Sequence, residues 1–179
     1  MVNGIILYKS KYGATKQYAQ WLAEETGFSC EKTDDVDINE VSKYDIIILG
    51  GGIYASGIAG LSFLKKNIEK LKDKKVIVFC CGASPFEQNA FNEIIKHNMK
   101  GKIENIPCFY CRGKFDMSTM TLKDKTLCKI LRKALSRKNP NEYAVWESAL
   151  MSVKENEKGN WTDKSYLKPI LKELNINMP

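Results

Sequence analysis

The stretch that decides the fold is Ser10-Lys11-Tyr12-Gly13-Ala14-Thr15. It follows the β-branched run Ile5–Tyr8, which is typical of a strand buried on both faces. After it, residues 15–26 carry apolar side chains at helical spacing and predict a helix. A strand that turns through small and hydroxylated residues into a helix N-terminus is typical of a phosphate site, because the first helical N–H groups have no intrahelical partner. Ser10, Tyr12 and Thr15 are candidate hydroxyl donors.

The same stretch differs from two better-known phosphate loops. It lacks the Gly-Lys-Ser/Thr ending of a nucleoside triphosphate loop, and it lacks the Gly-x-Gly-x-x-Gly of a dinucleotide fingerprint. The alternative is an ordinary helix N-cap, in which Ser10 or Thr15 only satisfies backbone donors. The position of the stretch directly after the first predicted strand favours phosphate binding.

Length and composition indicate an ordinary globular protein. The chain has 179 residues, which predicts a single domain over residues 1–179, and 44% of them are hydrophobic against 27% charged. No apolar run approaches the roughly 20 residues that cross a bilayer, and no signal peptide is visible. We therefore expect a cytoplasmic protein.

The six cysteines are expected to be reduced thiols in that compartment. Cys108 and Cys111 have the spacing of a redox pair, but they fall in a predicted strand, where positions three apart face opposite sides of the sheet. A redox pair normally lies at a helix N-terminus, so a structural role is favoured. A zinc site needs a second ligand pair, and none has suitable spacing.

The positive charge of the chain is concentrated in residues 112–138. This segment holds nine basic side chains and two acidic ones, an excess equal to the formal net charge of +7 of the whole chain. Within it, residues 122–136 predict a basic amphipathic helix with an apolar face of Leu127, Ile130, Leu131, Ala134 and Leu135. Two interpretations stay open: a helix at residues 122–138 that docks on a membrane or a partner, or a helix packed on the sheet. Nucleic-acid binding is not expected, because no recognition motif accompanies the charge.

Strand and helix signals alternate along the chain, which predicts a doubly wound α/β protein with a five-stranded parallel sheet in the order 2-1-3-4-5. Residues 113–160 interrupt the alternation and are interpreted as an insertion before the last helix. The predicted strands are 5–8, 29–32, 44–50, 75–81 and 107–112, and the predicted helices outside the insertion are 15–26, 62–71, 86–100 and 161–174.

Three loops rich in small residues leave strands at the carboxyl edge of this sheet, where ligands of such folds bind. They are residues 10–15, residues 50–57 and residues 82–85. Small residues permit close backbone approach to a flat ligand. Each loop alone is explained by turn chemistry, but three at one edge favour a binding site.

Over nearly its whole length the chain resembles flavodoxin-like FMN proteins, and most closely the branch that includes menaquinone-dependent protoporphyrinogen oxidase. The residues that carry the resemblance are residues 10–15, 51–57 and 109–113 and the long insertion. The resemblance implies a flavodoxin-like fold and a bound FMN that performs the redox chemistry, with no metal. No catalytic acid or base stands out, and His97 is expected on the surface.

The resemblance also implies which residues hold the cofactor. Its phosphate would be held by Ser10, Lys11, Tyr12, Gly13, Ala14 and Thr15. One edge of the isoalloxazine would be lined by Gly52, Ile53, Tyr54, Ala55 and Ser56, and its pyrimidine side by Gly82, Ala83 and Ser84, with Arg112 and Gly113 reaching the cavity from the last strand.

Three functions follow as hypotheses. The first is electron transfer between protein partners. The second is oxidation or reduction of a small substrate, with quinone or porphyrinogen as precedents from the resembling branch. The third is a flavin-free interaction domain that keeps only the fold.

Overall fold

A central parallel sheet organises the chain. The structure, a computed structural model, describes residues 3–153 and 158–176. The strands are β1 (Gly4–Lys9), β2 (Ser29–Lys32), β3 (Ile46–Tyr54), the short β4 (Gly57–Ile58), β5 (Lys75–Gly82) and β6 (Cys108–Arg112). The parallel strands run in the order β2-β1-β3-β5-β6, and β4 pairs antiparallel with β3. Without the β4 hairpin this is the predicted 2-1-3-4-5 order, so the predicted fold class is confirmed.

Helices cover both faces of the sheet. They are α1 (Ala14–Thr26), α2 (Ile38–Val41), α3 (Leu61–Asn67), α4 (Gln88–Asn98), α5 (Leu122–Leu135), α6 (Val145–Ser152) and α7 (Lys168–Glu173). Alternate residues of the buried strands point into two separate cores. Ile6, Ile48 and Phe79 pack with α1 and α7, whereas Leu7 and Leu49 pack with α3 and the residues after α4.

The strand cysteines follow the same alternation. Cys81 and Cys111 lie in the first core, whereas Cys80 and Cys108 belong to the second. Burial raises the pKa of the Cys111 thiol, and the neighbouring Cys108 raises that of Cys80 further. All six thiols are free, and neutral buried thiols do not act as nucleophiles. The prediction that Cys108 and Cys111 face opposite sides of the sheet is confirmed.

Strand β3 is longer than predicted. The sequence was expected to leave the strand at Gly50, but pairing with β5 continues through Gly50↔Phe79 to Gly52↔Cys81. Glycines suit this part of the strand because large rings lie over it: a Cβ at Gly50 would stand 2.1 Å from the Phe79 ring. Ala55 and Ser56 alone form the turn into β4.

Two predicted helices begin later than expected. Phe86 precedes α4, because Glu87 is the N-cap and its carboxylate accepts from the N–H groups of Asn89 and Ala90. The helix predicted at 161–174 is extended at Trp161 and begins with a 3-10 turn, Lys164–Leu167, capped by Asp163. Helix α7 follows with Pro169 in its first turn, where a missing N–H costs nothing.

The insertion stands on a two-stranded stem. β7 (Lys114–Asp116) and β8 (Lys158–Asn160) pair antiparallel and bring its two ends together. Between them α5 packs on α6, and Arg132 donates to the carbonyl oxygens of Leu150, at 2.8 Å, and Val153. Of the predicted apolar face of α5, Leu135 is buried, but Leu127 and Ile130 remain 47% and 61% exposed. No helix in the described residues is both long and apolar enough to cross a bilayer.

Candidate functional site

The predicted phosphate loop lies between β1 and α1, at the carboxyl edge of the sheet. Gly13 is the N-cap residue of α1 with φ 88°, a conformation that strains any residue with a side chain. The loop is braced internally, since the Gly13 N–H donates to the Ser10 Oγ at 3.1 Å. Thr15 is buried in the first helical turn. In the described chain no side-chain hydrogen bond caps α1, and the partial positive charge of a helix N-terminus favours an anion at such a place.

Tyr54 reaches from the end of β3 to this loop. Its hydroxyl accepts a hydrogen bond from the backbone N–H of Lys11 at 2.9 Å. The ring lies against the backbone of Gly52, where a Cβ would stand 2.4 Å from the Tyr54 hydroxyl, and it meets the Tyr12 ring edge-on at 6.0 Å. Burial raises the pKa of Tyr54, while the bond from Lys11 opposes that rise. The neutral phenol therefore occupies the backbone N–H of Lys11, which belongs to the loop that precedes α1.

A groove of about 500 Å³ opens beside the loop. This volume lies within the range of small-ligand sites. Four lysines line the groove with one carboxylate, Asp34, and two of them are also paired with aspartates outside the lining: Lys11 with Asp124 and Lys32 with Asp35. Lys9 is paired with Asp34 at 2.7 Å. The lining residues are Tyr8, Lys9, Ser10, Lys11, Gly13, Lys16, Lys32, Asp34, Tyr54 and Ala59.

The insertion contacts the same loop through Asp124. The Asp124 carboxylate, in the first turn of α5, accepts hydrogen bonds from the Lys11 Nζ and the Tyr12 hydroxyl. These bonds hold the pKa of Asp124 below its usual range, and the Asp124 hydrogen bond raises that of Lys11. Sequence reasoning missed this contact. Asp124 is one of two acidic residues in a basic segment. An acidic residue is also favourable in the first turn of any helix, so its position in the sequence does not indicate a contact with a distant loop.

Four other predicted site residues, Gly82, Ala83, Ser84 and Gly113, lie around the ends of β5 and β6. The Ala83 carbonyl accepts from the Arg112 Nε at 3.2 Å, and the Ser84 carbonyl accepts from the Tyr110 hydroxyl at 2.6 Å. Gly113 donates to the Gly82 carbonyl at 2.7 Å, and a Cβ at Gly113 would stand 3.1 Å from the Ala14 Cβ. Gly82 and Gly113 are thus joined to each other, and Gly113 lies against the start of α1.

Arg112 takes a direction that the sequence did not indicate. Its guanidinium stacks 4.3 Å from the centre of the Trp161 ring, which borders a second cavity of about 440 Å³. That cavity is lined by Arg112, Asn160, Trp161, Thr162, Asp163, Ser165 and Tyr166. Arg112 does not line the groove beside the phosphate loop. The structure therefore places the Arg112 side chain against the stem of the insertion, apart from Ser10, Lys11, Gly13 and Tyr54.

Asn98 is a further residue near the site that the sequence did not single out. It is buried at the end of α4 and binds the hairpin between β3 and β4. A lone asparagine in an amphipathic helix carries no signal of such a contact. The predicted surface position of His97, beside it, agrees with the exposed side chain in the structure.

The parallel sheet and the order of its strands define a doubly wound α/β protein, a fold whose ligands bind outside the carboxyl edge of the sheet. Comparison with known protein families identifies the particular kind. The chain matches the flavodoxin domain family over residues 5–142, which is more than half of its length, and it belongs to that family.

Individual relatives are distant. An uncharacterized protein of Methanocaldococcus jannaschii is 28% identical over 116 residues, which are 63% of this chain and 76% of that protein. A WrbA-like flavodoxin from Agrobacterium tumefaciens has 18% identity and a TM-score of 0.46, covering 70% of this chain and 88% of its own. A flavoprotein from Lactobacillus acidophilus, solved in complex with FMN, has 16% identity and a TM-score of 0.41. The match covers 63% of this chain and 93% of that protein.

Proposed function

We propose that this protein binds FMN at the carboxyl edge of its sheet and serves as a redox protein. The observation that carries the proposal is the uncapped N-terminus of α1, preceded by the left-handed Gly13 and bordered by a groove that four lysines line. Membership of the flavodoxin domain family supports the same assignment. When bound, FMN would supply the acceptance and release of electrons.

The residues present fit a single phosphate group. Backbone N–H groups of Ala14, Thr15 and Lys16 would donate to it, aided by the Thr15 hydroxyl, and Lys11 and Lys16 would balance its charge. The Tyr54 hydroxyl already marks an oxygen position on the Lys11 N–H, at 2.9 Å. A phosphate oxygen is a stronger acceptor than a phenol, so we expect it to displace that hydroxyl. One loop of this kind suits FMN better than a dinucleotide.

The flavin ring would lie between the ends of β3 and β5. Tyr54 offers an aromatic face, and the carbonyl groups at Ala83 and Ser84 are held in place by Arg112 and Tyr110. Phe86 is 49% exposed and packs at 5.9 Å from Tyr110. An exposed aromatic ring at this edge supports access from solvent to the cofactor.

Two roles remain within this proposal. An electron carrier would exchange electrons with a protein partner, whereas an oxidoreductase resembling protoporphyrinogen oxidase would act on a quinone or porphyrinogen. Reoxidation of the reduced protein by a quinone, together with an assay on protoporphyrinogen, separates the two. Turnover of the porphyrinogen favours the enzyme, and rapid reoxidation only by an electron-transfer protein favours the carrier.

We further propose that α5 docks the protein on an anionic membrane surface. Leu127 and Ile130 are exposed on α5, and Trp146 on α6 is 45% exposed. Apolar side chains beside several lysines are the pattern of helices that lie in a lipid interface. An acidic redox partner is the competing occupant, and it would depend on the charges more than on the apolar side chains.

The experiment that tests the main proposal is the visible spectrum of the purified protein, followed by mass analysis of the released cofactor. FMN, retained or taken up by the colourless protein, is the expected result. Release of FAD contradicts the choice of cofactor. A colourless protein that ignores added FMN supports the third hypothesis, a flavodoxin-fold domain without a flavin.

A further inference from the structure

We propose that Asn98 is a positioning residue that fixes the turn at Ala55 and Ser56 beside the site. Its effect on a flavin rests on the proposed function, whereas its effect on the turn does not. The Asn98 Oδ1 accepts from the N–H of Ile58 at 2.9 Å. Its Nδ2 donates to the carbonyl oxygens of Ser56, at 2.7 Å, and Ile94, at 2.9 Å. Asn98 is only 7% exposed, so these bonds form in a dry environment.

The turn that Asn98 holds is strained. Tyr54 pairs with Gly57, so Ala55 and Ser56 form a two-residue hairpin loop with φ of 47° and 65°. Both values are left-handed, as a type I′ turn requires, and such turns normally use asparagine and glycine. Alanine and serine have no intrinsic preference for this conformation, so contacts from outside the hairpin must hold it. Asn98 forms hydrogen bonds with the last turn residue, Ser56, and with Ile58 in β4.

The turn that Asn98 holds is connected to the phosphate loop through Tyr54. The hairpin begins at Tyr54, the residue whose hydroxyl reaches the Lys11 N–H in the phosphate loop. A shift of the turn would move the Tyr54 ring and the backbone that follows it. Asn98, the last residue of α4, therefore acts through the hairpin and does not itself touch the ligand.

Asparagine is the residue type that this place requires. One amide group supplies an acceptor and two donors, and all three are used. Aspartate would keep the acceptor for Ile58 but would oppose the carbonyl oxygens of Ser56 and Ile94. Leucine would fill the space and leave the buried Ile58 N–H without a partner, which is costly. Variants of Asn98 can thus separate the hydrogen bond to the Ile58 N–H from the hydrogen bond to the Ser56 carbonyl.

The first experiment measures amide hydrogen exchange in the cofactor-free protein, with Asn98→Leu and Asn98→Asp compared with wild type. In Asn98→Leu we expect exchange at Ile58 to accelerate by at least about fivefold relative to the β3 amide of Leu49, because one buried donor loses its acceptor. Asn98→Asp should protect Ile58 better than Asn98→Leu. The control is Asn92→Ala, an exposed asparagine of the same helix. Exchange at Ile58 that is equal in Asn98→Leu and Asn92→Ala overturns the proposal.

The second experiment tests rescue and the flavin. Ala55→Gly relieves the left-handed strain, so in Asn98→Leu it should restore part of the protection of the Gly57 amide, which pairs with Tyr54 across the turn, while Ile58 still lacks its acceptor. With FMN bound, Asn98→Leu should shift the midpoint potential and speed FMN release, and Ala55→Gly should reverse part of both changes. If exchange changes but release and potential do not, Asn98 does not position the cofactor and the proposal fails. If FMN does not bind, the proposed function fails. The exchange experiment still shows whether Asn98 holds the turn.

Discussion

The Tyr54 hydroxyl accepts a hydrogen bond from the backbone N–H of Lys11 at 2.9 Å, and thereby closes the phosphate loop with a phenol. Tyr54→Phe removes this competitor and keeps the aromatic face. We expect FMN affinity to rise by about fivefold, since a neutral hydrogen bond contributes on the order of 1 kcal/mol. Fluorescence titration of the apo-protein with FMN measures this affinity. A tenfold loss of affinity would show that the hydroxyl binds the cofactor instead.

Thr15→Ala should weaken FMN binding more than it weakens folding. The hydroxyl would donate to a charged acceptor, and such bonds contribute roughly 1.5–3 kcal/mol, or about ten- to a hundredfold in affinity. Ser10→Ala should also lower affinity, but with a loss of loop order, because Ser10 Oγ accepts from the Gly13 N–H. Affinity and urea midpoint are measured for both variants. Unchanged affinity in both rejects the loop as the phosphate site.

Asp124→Asn should strengthen binding of inorganic phosphate and of FMN several-fold. The Asp124 carboxylate and the phosphate compete for Lys11, and the amide removes the negative charge at that place. Isothermal titration at low salt provides the measurement. Asp73→Asn is the matched control, because Asp73 is exposed and lies outside the groove lining. Equal gains in the two variants would assign the effect to net charge alone.

The contact between Asp124 and Lys11 should also depend on pH. The Asp124 pKa is lowered by its bonds from Lys11 and Tyr12, so the contact stabilises the fold above the ordinary aspartate pKa, about 3.9. This stabilisation is lost as pH falls through the lowered pKa. The raised pKa of Lys11 means that it is lost again as pH rises through that value. Unfolding midpoints of wild type and Asp124→Asn should therefore converge in acid, and parallel curves down to pH 2 would contradict the assignment.

Charge reversal at Lys123, Lys133 and Arg137 should abolish binding to anionic vesicles and leave FMN bound. These side chains are exposed on and just after α5, whereas Arg132 is excluded because it holds the end of α6. Vesicle co-sedimentation, with neutral vesicles for comparison, measures the effect.

A second variant separates lipid from protein partners. Leu127→Ser with Ile130→Ser removes exposed apolar side chains and keeps the charge. Loss of vesicle binding here supports docking on a membrane surface through the apolar side chains, and retained binding contradicts it, because charge alone then suffices. Reversal of Lys65, Lys66 and Lys96, which are exposed on other helices, controls for net charge. If the control triple reversal weakens binding equally, α5 has no special part in it.

Local patterns were sufficient for the fold. Buried parallel strands are continuous apolar runs, and Gly13 and Gly27 mark the ends of α1, so strand order and most element bounds could be predicted. The bounds that failed depend on packing and capping that the pattern of apolar residues does not show. The rings of Phe79 and Tyr54 lie over Gly50 and Gly52, which stay in β3. Helix α4 begins after Glu87 because that carboxylate caps it, and Trp161 is extended and stacks on Arg112.

The candidate site could be predicted only where one segment supplies it. Residues 10–15 form their loop from local geometry, and the structure places Gly113 against its helix. Asp124 and Asn98 could not be predicted, because each binds residues forty or more positions away. Their own surroundings in sequence are an ordinary first helical turn and an ordinary amphipathic helix.

The most direct test of the account is a titration of the apo-protein with FMN and with riboflavin, which differ only by the phosphate. The account predicts that FMN binds at least about tenfold more tightly, because the phosphate would receive charged hydrogen bonds at the start of α1. It also predicts that Lys16→Gln narrows this difference and that Lys65→Gln does not. Equal affinities for the two flavins, or no binding of either, would contradict the central claim.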